Sequence, residues 1–97
     1  MNYVLSQLAI DDIDSIFEYT VQNWSIRQAE NYYKSIIETI KLICKNPEMG
    51  KSISEVKEYH KRKNVGSHLI LYKLQNDVIY IDRILHQRMD IDTQLDE

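Results

Sequence analysis

The sequence predicts an α+β fold of order β-α-α-β-β-β, a helical hairpin packed on one face of a small, mostly antiparallel sheet. Three observations predict it. Residues 68–90 hold two runs rich in β-branched and aromatic side chains on either side of Asn76-Asp77, a pair that tolerates φ > 0 and suits a two-residue hairpin turn. Residues 9–43 carry apolar side chains at three- and four-residue spacing in two stretches that meet at Trp24-Ser25, the pattern of two amphipathic helices. The only proline, Pro47, and one of the two glycines, Gly50, close that helical region and mark the passage from helix to sheet.

The elements follow in order. Asn2-Tyr3-Val4-Leu5 reads as a short strand, with Tyr3 and Leu5 alternating against Val4. Ser6 is a candidate N-cap. Ala9, Ile13, Ile16, Phe17, Val21 and Trp24 then give one helix its apolar stripe, with Asp11 and Asp12 near its positive end. Ser25-Ile26-Arg27-Gln28 has the form of a capping box and starts a second helix at once, so the two fold back on each other. Ala29, Tyr32, Tyr33, Ile36, Ile37, Ile40 and Ile43 give that helix its apolar stripe, and it stops at Asn46 because proline disfavours helical geometry in the residue before it. Residues 52–58 are hard to read, Tyr59–Val65 suits a charged outer strand, and Gly66-Ser67 turns into the final hairpin.

Counting outward from Asn76-Asp77 sets Leu74 opposite Ile79, Tyr72 opposite Ile81, Ile70 opposite Arg83 and His68 opposite Leu85. That face is apolar and faces the helices. The other carries Gln75, Lys73, Tyr80, Asp82, Leu71, Leu69, Ile84 and His86, a half-wet mixture. Slipping the register by one would put Lys73 and Asp82 against the core, so the pairing is well specified.

With 97 residues, the chain is expected to be one domain, 1–97, near the lower size for a self-supporting core. Hydrophobic content of 43% with 28% charged is ordinary for a globular protein. The lone cysteine, Cys44, excludes an internal disulfide and suits a reducing cytoplasm. No stretch approaches a membrane span and no signal segment is evident. A net charge of −3 argues against broad nucleic-acid affinity, although charge is polarised: Lys57, Lys61, Arg62 and Lys63 are basic and the first helix is acidic. Three histidines without Cys or carboxylate at ligand spacing make no zinc signature, and no cofactor is expected. Asp90 and Asp92 read as solvated or end-capping.

The run from His68 through Tyr72 to Arg83-Ile84-Leu85-His86, then Met89-Asp90, resembles the C-terminal half of the ParE branch of the RelE/ParE toxins, small proteins made together with an antitoxin. Leu5-Ser6-Gln7-Leu8-Ala9, the Trp24 turn, Gln28-Ala29-x-x-Tyr32 and Asn46-Pro47-x-x-Gly50 fit the same family in the same order, so the resemblance covers about the whole chain. It implies a cytoplasmic toxin of a type II toxin–antitoxin system, silenced by a ParD-like antitoxin and acting on DNA gyrase by protein–protein contact. A second function class is a ribosome-dependent endoribonuclease of RelE type. That reaction needs a base, an acid and cations for the scissile phosphate, for which His86, Arg88 and Arg83 are the candidates. No Tyr, Phe or Trp follows Tyr80, and the chain is acidic where a ribosome-binding protein would be basic. Both facts favour the gyrase reading.

On that reading Arg83, His86, Arg88, Met89 and Asp90 contact the target, while Ile10, Tyr19, Tyr32, Lys61, Arg62 and Lys63 contact an amphipathic helix of the antitoxin. Structural roles compete with several of these. Arg83 suits a core-edge arginine paired with a helix carboxylate such as Asp14 or Glu18, and His68 and His86 suit satisfied strand histidines. Of Tyr32 and Tyr33, one faces the core and the other is free for contact. Trp24 either plugs the helical hairpin, the favoured reading, or stands out as an exposed anchor. Cys44 is expected to be inert packing.

Overall fold

A computed structural model describes residues 1–52 and 60–88. The order is β1 (Asn2–Leu5), α1 (Gln7–Asn23), α2 (Ile26–Lys45), a 3-10 turn at Pro47–Met49, β2 (Lys51–Ser52), β3 (His60–Val65), β4 (His68–Gln75) and β5 (Val78–His86). The sheet order is β1-β5-β4-β3-β2; β1 runs parallel to β5 and every other pairing is antiparallel. This is the expected architecture, with the two-residue β2 added outside β3. Tyr59, most of 52–58 and the tail from Met89 onward lie outside the described residues. Among the described residues no helix is long and apolar enough to cross a membrane.

Local chemistry sets the boundaries. Ser6 caps α1, its Oγ accepting from Ala9 N at 3.0 Å, and Ser25 caps α2 by accepting from Gln28 N at 3.0 Å. Helix α1 begins at Gln7, so Asp11 and Asp12 fall beyond the first turn, where the dipole acts most; Asp12 has a different use. Asn76 and Asp77 have φ of 54° and 62°, as the tight hairpin turn requires. At Gly50 an added Cβ would strike the Tyr72 hydroxyl. That hydroxyl donates to Pro47 O at 2.8 Å and accepts from Gly50 N at 3.0 Å, tying the helix-to-sheet passage to the centre of the sheet.

The core lies between the helices and one face of the sheet, where Ala9, Ile13, Ile36, Ile40, Ile43, Ile70, Tyr72, Ile79, Ile81 and Ile84 are buried. Of the two adjacent tyrosines, Tyr32 turns inward and Tyr33 outward. Cys44 is buried, and that burial pushes its thiol pKa up. The opposite face is not simply half-wet: Leu69, Leu71 and Leu85 form a second buried cluster there.

The register is correct as far as Tyr72↔Ile81 and then shifts. Leu71 faces Arg83, Ile70 faces Ile84, Leu69 faces Leu85 and His68 faces His86, so the expected Ile70–Arg83 and His68–Leu85 pairs do not form. Asp82 is the extra residue of a β-bulge. A bulge breaks strict alternation, and it turns Ile84 toward the helix-side core and sets His86 beside His68.

Candidate functional site: the groove at the end of the helical hairpin

β1 ends at Leu5, opposite Ile81, and leaves the outer edge of β5 bare from Asp82 onward. The start of α1 covers it. Ser6 N donates to Ile81 O at 3.0 Å and Ser6 Oγ to Asp82 O at 2.7 Å. Asp12 accepts from Ile84 N at 2.9 Å and takes the Arg83 guanidinium on both oxygens, from Nε at 2.9 Å and Nη2 at 3.0 Å. The pair is largely buried, the two side chains being 16% and 15% exposed. The structural role expected for Arg83 is therefore real, but its partner is Asp12, not Asp14 or Glu18. The bulge sets Arg83 opposite Leu71 in place of Ile70, and from there its guanidinium meets Asp12.

The inner side of this region is a groove of about 810 Å³ between α1, α2 and the adjoining ends of β4 and β5. Ser15, Tyr19 and Thr20 of α1, Trp24 at the hairpin turn, and Gln28, Asn31, Tyr32 and Ser35 of α2 form its walls; His68 and His86 close its end. Trp24 is 69% exposed and Tyr19 63% exposed. Trp24 thus stands out at the hairpin tip and does not plug it: its backbone N–H closes α1 by donating to Thr20 O, and the residues buried along the two helices include Ala9, Ile13, Ala29 and Ile36.

The floor is held by Tyr32. Its hydroxyl accepts from Ser67 N at 3.0 Å, bonds to Val65 O at 3.0 Å and lies 2.6 Å from His68 Nδ1. Gly66, at φ +54°, makes the turn that wraps this hydroxyl, and any Cβ there would run into the Tyr32 ring. Burial pushes the Tyr32 pKa up. His68 and His86, opposed across β4 and β5, meet edge to face with centroids 5.4 Å apart. The pKa of His68 is pushed down by burial first and by His86 second, with Asp12 acting the other way. His86 Nδ1 accepts from Arg88 N at 3.2 Å.

The residues expected to meet an antitoxin are not brought together. Tyr19 and Tyr32 line the groove. Ile10 lies nine residues before Tyr19, about two and a half helical turns, and so points away from it. Strand alternation splits the basic run: Lys61 and Lys63 pair with Tyr72 and Ile70 on the helix side, whereas Arg62 pairs with Leu71 on the other. Lys61 Nζ is 3.6 Å from Glu48. Of the expected target contacts, His86 and Arg88 stand at the groove end, Arg83 is held by Asp12, and Met89 and Asp90 lie outside the described residues. Sequence reasoning held Trp24 as an exposed anchor only as its second reading, and it missed Asp12 as the holder of Arg83, and His60. His60 is 8% exposed, with Nε2 2.9 Å from Asp82 Oδ2. Among the described residues no group of three or more His, Cys, Asp or Glu could hold a metal.

Comparison with known proteins agrees with this geometry. The profile described as "ParE toxin of type II toxin-antitoxin system, parDE" matches residues 3–91. The chain is 32% identical over 94 residues to Toxin ParE1 of Mycobacterium tuberculosis, covering 96% of each. It is 35% identical over 88 residues to Toxin ParE1 of Caulobacter vibrioides, covering 91% of each. Among solved structures it resembles the chromosomal ParDE system of P. aeruginosa (TM-score 0.77, 20% identity, 89% of this chain and 95% of that one). It also resembles the RelBE2 complex of Mycobacterium tuberculosis (TM-score 0.67, 13% identity, 89% and 96%). At those identities the structural likeness speaks for the fold; the sequence matches speak for the family. The chain belongs to the ParE toxin family of type II toxin–antitoxin systems.

Proposed function

We propose that this toxin is silenced in the cytoplasm by a ParD-like antitoxin whose amphipathic helix lies in the groove, and that the free toxin acts on DNA gyrase by contact, without chemistry of its own. The observation that carries the first part is the groove itself. Its walls bear aromatic and uncharged polar side chains, and among the described residues its ionisable groups are two tyrosines and two imidazoles. That is the composition of a protein-binding surface, with exposed Trp and Tyr as anchors. The two structural neighbours above are toxin–antitoxin systems by description.

The second part is supported by the state of Arg83. A phosphate clamp needs a cation facing the substrate, and this guanidinium is committed to Asp12 in a largely buried pair. His86 interacts with His68 and the Arg88 amide, an arrangement that supplies neither carboxylate nor phosphate cradle. What remains for a target is the groove end, His86 and Arg88, together with the chain that follows. The test is direct. Purified toxin with gyrase, ATP and plasmid should accumulate cleaved DNA, and translating ribosomes should give no A-site cuts. Ribosome-dependent cuts without gyrase cleavage would replace this reading with the nuclease one.

A further inference from the structure

Among the described residues that line the groove none is an aspartate, glutamate, lysine or arginine. The groups there that can gain charge near neutral pH are His68 and His86, side by side at its end with ring centroids 5.4 Å apart. Their hydrogen bonds assign their protons. The Tyr32 hydroxyl gives its one proton to Val65 O at 3.0 Å and already accepts from Ser67 N. The 2.6 Å contact with His68 Nδ1 is then satisfied with the proton on the ring, so His68 donates from Nδ1 and, when neutral, keeps a lone pair on Nε2. His86 is the reverse. Its Nδ1 accepts from Arg88 N at 3.2 Å, which puts its proton on Nε2. The two rings are therefore unequally ready for a second proton. His68 can take one on Nε2 without giving up a bond, whereas His86 would have to surrender the Arg88 amide.

The surroundings set the charge this pair would accept. From α1, Asp12 is neutralised by Arg83 of β5. From α2 comes the Tyr32 hydroxyl, uncharged and bonded. After β5 stands Arg88, exposed, so the fixed charge nearby is net positive. Burial and the neighbouring His86 hold the His68 pKa below its ordinary value. An anion laid against both rings would offset the positive charge and the cost of a second proton together. A carboxylate suits the place better than a carboxamide, because its two oxygens can receive two ring N–H groups at once. Hydrogen bonds between ionised partners are also about twice as strong as neutral ones. We infer that the end of the groove seats a carboxylate of the antitoxin helix between His68 and His86, and that the complex takes up a proton on His68 as it forms. The proton comes from solvent, His68 becomes an imidazolium, and no hydrogen bond within the toxin is broken. Recognition at this place is thereby tied to pH, and a helix offering a lysine at the same position would be refused.

This inference rests on the groove reading above and names what the groove selects; counting protons separates the two. Calorimetry of the toxin with its antitoxin at about pH 7, in buffers of different ionisation enthalpy, should show net proton uptake. Affinity should rise as pH falls between the raised pKa of the complex and the lowered one of the free toxin, by up to about tenfold per pH unit. His68→Asn keeps a donor for Tyr32 but cannot titrate, so its complex should lose both the uptake and the slope. His86→Gln, which keeps a donor near the place of Nε2, should retain both. Histidine NMR on the unaltered toxin gives the answer without a variant: the His68 ring should titrate at least about one pH unit higher in the complex than in the free toxin. Perturbed Tyr19, Trp24 and Tyr32 signals with no proton uptake would overturn the inference and leave the groove reading standing. Uptake that survives His68→Asn would place the proton elsewhere and overturn it as well. Binding that leaves the groove signals unchanged, or no binding at all, would remove both readings.

Discussion

Replacing Asp12 by Ala should be among the most damaging single changes outside the apolar core. The carboxylate takes three hydrogen bonds, two from Arg83 and one from the Ile84 amide, at 2.9–3.0 Å. A hydrogen bond to a charged group is worth about 1.5–3 kcal/mol net, and removing one partner of a buried ion pair costs about 3–5 kcal/mol. Side chains that remain about one-sixth exposed recover part of this from water, which places the expected loss at about 2–4 kcal/mol. For a chain of this size that lowers the melting temperature by roughly 10–25 °C. Denaturant and thermal unfolding of Asp12→Ala, Arg83→Met and the double variant would measure it. The double variant should lose less than the sum, since removing both partners strands no charge. Asp14→Ala, at an exposed neighbour, should stay within about 0.5 kcal/mol. Equal effects of Asp12→Ala and Asp14→Ala, or additive losses in the cycle, would show that the latch from α1 to β5 is not what holds this edge.

Three further outcomes are expected. Gly66→Ala combines a left-handed φ of +54° with a Cβ driven into the Tyr32 ring, so it should cost at least about 2 kcal/mol in chemical denaturation. The lowered pKa of His68 gives stability a pH dependence. Below the ordinary value of 6.5 the unfolded chain takes up a proton that the folded chain refuses, so stability falls as pH drops from there toward the folded pKa and is flat above. His68→Asn, whose amide nitrogen can replace Nδ1 toward Tyr32, should remove that slope in urea titrations between pH 7 and 5. Trp24→Ala should change stability by less than about 0.5 kcal/mol, because the indole is 69% exposed, yet weaken antitoxin binding at least tenfold by calorimetry.

The fold was legible because local signals agreed with one another. Ser6 and Ser25 cap where their positions say, Asn76-Asp77 adopts positive φ, and the apolar periods of 3.6 and 2 point to one shared core. The site was less so, and the reason is specific. Strict alternation assigns Arg83 and Ile84 to faces, but a bulge at Asp82 inserts one residue and inverts the assignment beyond it. Nothing in Ile81-Asp82-Arg83 announces a bulge; it sits where β1 ends at Leu5 and where Ser6 and Asp12 take up the exposed edge. The error at Trp24 has another origin. An apolar stripe gives direction around a helix, not whether the partner helix still lies alongside at its last residue. The basic run is divided for the opposite reason, since adjacency in a strand separates side chains onto two faces.

The same bulge bears on how silencing and action are related. It sets His86 across from His68, so the last described turn of the chain, Gln87 and Arg88, starts from the end of the groove. Gln87 N is fastened there by Ser67 O at 3.0 Å, and Ser67 is itself bonded to Tyr32 on the groove floor. A helix lying along Tyr19, Trp24 and Tyr32 would therefore reach the ground from which the segment proposed to meet the target departs. On the reading proposed above, the antitoxin need not reshape the toxin to neutralise it; covering His86 would suffice. The requirement is that the groove and the end of β5 stay fixed relative to each other, and the Asp12–Arg83–Ile84 latch together with the Tyr32 clasp supplies that rigidity from two sides. A latch-breaking variant that still folds should then separate the two properties: antitoxin binding in the groove persists, while the protection it gives the target is lost.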